Sequence, residues 1–71
     1  MTNTELLKQY IAQSGYKITF VAKKCGLSYQ GLLNKITNKV EFRASEIQTL
    51  CDLLGIDVAE KEEVFFCPVC R

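Results

Sequence analysis

Leu6, Leu7, Tyr10 and Ile11 recur at the three- and four-residue spacing that lines one face of a helix. Thr2-x-x-Glu5 before them has the form of a capping box, and Gly15 after them is a natural stop. The pattern therefore predicts a first helix over about residues 3–14, its apolar stripe in the core. After the link Gly15–Lys17, the run Ile18–Cys25 predicts a second short helix, ended by Gly26. Gly26-Leu27-Ser28 forms a tight corner. The Ser28 hydroxyl is suited to accept from an orphan amide of a third helix, running from Tyr29 to Ile36 and fraying near Asn38. Gly31 inside that helix costs roughly 1 kcal/mol relative to Ala, which implies that something approaches the helix closely there.

Thr37–Phe42 reads as a polar loop. Phe42 and Ile47 stand at the spacing of a hydrophobic staple around a fourth helix, whose buried face is Ile47, Leu50, Cys51 and Leu54. Gly55 ends it. Asp57–Lys61 predicts one further helical turn, and Val64-Phe65-Phe66 an extended segment packed on the core or on a second subunit. The chain has no internal repeat and no low-complexity segment.

Seventy-one residues make one small domain, which buries only about 60% of the surface its unfolded chain exposes. Such domains often gain support from a partner subunit, a metal or disulfides. With 48% apolar and 24% charged residues the composition is that of a globular protein. No apolar run approaches the roughly 20 residues of a membrane span, and residues 1–15 are too polar for a signal peptide. A cytoplasmic protein is the expectation. The net charge of +1 conceals a division: residues 1–43 carry seven Lys/Arg against Glu5 and Glu41, for +5, whereas residues 44–71 carry −4. One basic face for a polyanion, with the acidic groups kept at the other end, accounts for this arrangement.

The segment from Val21 to Leu32 has the order that two steeply crossing helices need. Ala22 is small where the second helix packs on the first, and Gly26 tolerates positive φ in the turn. Val21, Cys25, Leu27 and Leu32 fall where the pair faces the core. Here the sequence resembles the phage repressor and Cro family of helix-turn-helix proteins, closest to small phage-related regulators. The resemblance is carried by Val21–Ser28, Asn34-Lys35-Ile36, Glu41-Phe42-x-Ala44-Ser45-Glu46-Ile47 and Phe65-Phe66. It covers about residues 5–66. It implies an all-α, compact four- to five-helix bundle of the lambda-repressor type over residues 1–66, followed by a short tail, 67–71. It also implies sequence-specific binding to double-stranded DNA, usually as a homodimer.

In that geometry the third helix enters the major groove and presents Ser28, Tyr29, Gln30, Leu33 and Asn34 outward, with Leu32 and Ile36 turned inward. Gln30 and Asn34 stand one turn apart, and each carries the paired donor and acceptor that match adenine N6 and N7. Leu33 suits a thymine methyl. Lys35, Asn38 and Lys39, together with Lys17, Lys23 and Lys24, are the expected phosphate contacts. The family often has Gln at the start of the first motif helix as a phosphate clamp. This chain has Ile18 there, so the clamp passes to Thr19 or Lys17.

Of the four cysteines, Cys25 and Cys51 take apolar helix positions and read as small buried hydrophobes. Cys67-Pro68-Val69-Cys70 is half of a zinc knuckle, and with no His in the chain a tetrahedral site would need the same pair from a second subunit. A disulfide and a reduced tail are the other readings of that pair, the reduced tail being preferred. No other cofactor and no small-molecule substrate is indicated. The chain has no Gly-rich phosphate loop, and its Glu60, Glu62 and Glu63 form a solvated charge run, so enzymatic activity is not expected. The competing class is a protein-interaction module on a helix-turn-helix scaffold, antitoxin-like or co-repressor, that does not read DNA. The polar set Gln30, Asn34, Lys35 and Lys39 favours the DNA reader, because a protein-binding surface would be depleted of charge.

Overall fold

The computed structural model describes residues 2–66. They form five helices, and no strand occurs among the described residues: α1 (Thr4–Ser14), α2 (Ile18–Lys24), α3 (Tyr29–Ile36), α4 (Ala44–Leu54) and α5 (Val58–Phe65). None of these helices is long and apolar enough to cross a membrane.

Local chemistry sets each boundary. The cap of α1 is Asn3, whose side chain accepts from the Leu6 amide, and not the Thr2 of the expected capping box. Asp57 caps α5 through the Glu60 amide, with the Glu60 carboxylate turned back toward the Asp57 amide. That box launches two helical turns where one was expected. Val64 and Phe65 consequently lie inside a helix, correcting the extended reading of Val64–Phe66. They are its buried face, and only Phe66, which caps the helix, leaves helical geometry.

The core draws on all five helices: Leu7 and Ile11 from α1, Val21 from α2, Leu32 and Ile36 from α3, Leu50 from α4, Val64 from α5. Helix α1 lies against α3, α4 and α5, while α3 packs most closely on α2. Phe42 and Ile47 flank the α4 cap as a staple should and line one small cavity of about 90 Å³. Phe42 also meets Phe65 edge-on at 5.4 Å, which anchors the loop after α3 to the last helix.

A candidate nucleic-acid interface

The turn between α2 and α3 is closed by its own backbone. Gly26 has φ +73°, its N–H donates to Lys23 O at 3.1 Å, and the Leu27 N–H reaches back to Ala22 O at 2.9 Å. This pair of bonds is a Schellman motif, and it requires a left-handed residue where Gly26 stands. Ser28 follows in extended conformation, its hydroxyl accepting from the Gly31 N–H at 3.0 Å. The close approach expected at Gly31 is met within the chain: a Cβ there would lie 3.0 Å from Ser28 Oγ. Ala22, the small residue expected where the second helix packs on the first, is buried.

Helix α3 divides lengthwise. Leu32, Lys35 and Ile36 are buried; Ser28, Tyr29 and Gln30 are exposed, and Leu33 and Asn34 are partly so. Gln30 Nε2 donates to Asn34 Oδ1 at 2.9 Å on the exposed side. The joined amides still offer a carbonyl oxygen and an N–H of Gln30, and both N–H groups of Asn34. An acceptor and a donor on one side chain are what an adenine edge takes in the major groove.

The motif lies in a cationic stretch of the chain. Residues 6–40 contain six lysines and no carboxylate. Lys17, Lys23, Lys24 and Lys39 are exposed, as is Thr19. The Lys24 ammonium lies 5.4 Å from the centre of the Phe20 ring, which stacks at 5.0 Å on Tyr16.

The family model of the Cro/C1-type HTH DNA-binding domain matches residues 6–60. The chain belongs to that family. No curated protein and no solved structure was found to match it.

Two expected phosphate contacts of this Cro/C1-type domain are corrected by their surroundings. Lys35 is only 8% exposed, and its ammonium donates to Glu46 Oε1 at 2.5 Å, so it is turned into the protein and neutralised there. Asn38 serves the fold. It takes φ +66°, its Oδ1 accepts from the Thr2 N–H, and its Nδ2 donates to Thr2 O, both at 2.9 Å. Both side chains are engaged within the protein. The remaining five of the phosphate set, Lys17, Thr19, Lys23, Lys24 and Lys39, are exposed, and Ile18 is partly buried against the core.

Sequence reasoning missed Glu46. Its carboxylate accepts from Lys35 and from the Arg43 N–H at 2.8 Å, and so caps the amino terminus of α4 from the third helical position. Burial raises the affinity of this carboxyl for its proton. The Lys35 ammonium, the Arg43 amide and the Arg43 charge outweigh that and hold it below the ordinary carboxylate range. The signal was present in the periodicity, since Lys35 follows Leu32 by three residues and precedes Ile36 by one. Burial pushes the Cys25 and Cys51 thiols up, disfavouring the thiolate. Among the described residues no group of three or more His, Cys, Asp or Glu could hold a metal ion. The candidate metal pair Cys67 and Cys70 lies outside the described residues.

Proposed function

We infer that this Cro/C1-type domain is a transcriptional regulator of phage or mobile-element type that occupies an operator as a homodimer. The amino-terminal turns of α3 enter the major groove. Ser28, Tyr29, Gln30, Leu33 and Asn34 face the bases, and Lys17, Thr19, Lys23, Lys24 and Lys39 grip phosphates. One observation carries the reading: an exposed, hydrogen-bonded Gln30–Asn34 pair stands on the second helix of a helix-turn-helix, within a stretch, residues 6–40, that has six lysines and no carboxylate in its sequence. A dimer is supported by the apolar groove beside Phe42, Ile47 and the 55%-exposed Phe66, which stands open among the described residues. Two linked half-sites also suit a chain whose net charge of +1 gives little non-specific attraction.

Selection from a random duplex library tests both parts. The expected product is an inverted repeat with half-site centres about 10 base pairs, or a multiple of that, apart. A single enriched half-site removes the dimer. No enrichment of any sequence removes the operator reading and leaves the protein-interaction module.

A further inference from the structure

Helix α3 packs on α2 and buries Leu32 in the core, but its side-chain hydrogen bonds to other elements lie at its carboxyl end. At its amino end the side-chain bond is that of its own Ser28 cap. Near its carboxyl end the Thr4 hydroxyl donates to Ile36 O at 2.5 Å, and Lys35 pairs with Glu46. Helices α3 and α4 make no extensive backbone approach to one another, so this side-chain pair is the polar tie between them. Glu46 is itself fixed, because the oxygen that receives Lys35 also receives the Arg43 amide that starts α4. Both side chains are about nine-tenths buried, which makes the tie stiff and shields it from salt. Lys35 lies five residues beyond Gln30, about 7.5 Å along the helix axis. A small rotation of α3 at its tied end therefore changes where the Gln30 and Asn34 amides meet base edges.

We propose that Lys35 and Glu46 are positioning residues for sequence discrimination: their buried pair sets the rotation of α3, and with it the aim of Gln30 and Asn34, without either touching DNA. This rests on α3 being the reading helix. It separates two roles that a lysine on such a helix can have. A phosphate contact adds to binding of every sequence and to the salt slope, about one unit per contact. A positioning lysine changes discrimination and leaves the slope alone.

The experiment uses the full chain, the duplex selected by wild type, and a scrambled duplex of equal length, at several salt concentrations. Lys35→Met is expected to lower the ratio of specific to scrambled affinity at least about fivefold, the low end of one mismatched base pair. Binding to the scrambled duplex and the salt slope stay at wild-type values. Lys35→Arg, which can keep the pair, retains most of the discrimination. If circular dichroism finds Lys35→Met unfolded, Lys35→Met/Glu46→Gln decides instead. That variant leaves no buried charge unpaired and keeps an oxygen for the Arg43 amide, and the same loss of discrimination is expected. A slope lower by about one unit with discrimination intact makes Lys35 a phosphate contact and overturns the proposal. Unchanged discrimination in the folded variants also overturns it. Wild type that prefers no duplex overturns the operator reading beneath it, which the variants alone cannot do.

Discussion

The amino-terminal turns of α3 and the segment Lys35–Asn38 that ends it carry the same kinds of side chain and put them to opposite uses. Asn34 joins Gln30 on the exposed side, whereas Asn38, four residues on, binds the backbone of Thr2. Lys35 is buried on Glu46, whereas Lys39 is exposed. Residue type does not decide between the two uses; position relative to the Leu32–Ile36 stripe does. A recognition surface needs side chains with unspent donors and acceptors, and a scaffold needs them spent. Helix α3 places the boundary between these demands after Asn34.

Substitutions at four positions test that boundary, in descending order of expected effect. Glu46→Ala strands the Lys35 ammonium in the interior and removes the capping acceptor of α4. It should destabilise the fold by about 3 kcal/mol or more, measured by urea unfolding. The same pair gives stability an acid limb. Because the folded protein holds the Glu46 carboxyl below its unfolded value, the stabilisation is present above the unfolded pKa, about 4.3. It is lost as pH falls through the lower, folded one. Glu46→Gln should flatten that limb, and an unchanged acid profile would remove the ion pair from the account. The groups facing this carboxyl are the Lys35 ammonium, the Arg43 amide and guanidinium, and the Cys25 thiol.

Asn38→Ala should cost about 2 kcal/mol, from a Cβ-bearing residue without a local hydrogen bond in the left-handed region and from the lost clasp on Thr2. Asn38→Gly should recover the backbone share, so equal melting temperatures for the two would mean the conformation is not what Asn38 supplies. On the other side of the boundary, Gln30→Ala should leave stability unchanged. It should lower discrimination at one or two base pairs by roughly 1–3 kcal/mol, read from competition against single-base variants of the selected duplex. The smallest effect is expected of Lys39→Ala: weaker binding to all duplexes and a salt slope reduced by about one unit. A change in sequence preference instead would place Lys39 among the base readers.

Much of this was legible before the fold. The boundaries of α2 and α3 follow from Gly26 and Ser28, because a left-handed turn and a hydroxyl cap are requirements of single residues that the sequence names outright. The exposed face of α3 follows from Leu32 and Ile36 in the same way. The end of the chain was harder to read: Val64-Phe65-Phe66 as a tripeptide has no helical period, and only the box at Asp57 and Glu60 tells that the helix continues. Lys35 and Asn38 were misplaced for a different reason. Their partners, Glu46 and Thr2, lie 11 and 36 residues away, so the pairing is not local, although the place of Lys35 beside Leu32 and Ile36 marks its burial.

The clasp at Thr2 also bears on the order in which the molecule folds. Most of the architecture is local helix, the kind of contact that forms early and fast. The amino-terminal residues, by contrast, reach Asn38 and Ile36 across separations of 36 and 32 residues, and the Asn3 N–H meets Val64 O near the far end of the described chain. Closing such loops is entropically costly until the helices are already in place, so these bonds belong to the native side of the barrier. Loosening them, as in Asn38→Gly with its clasp removed, is expected to quicken unfolding while refolding keeps its rate in stopped-flow chevrons. The strap then governs how long the folded domain lasts far more than how soon it appears.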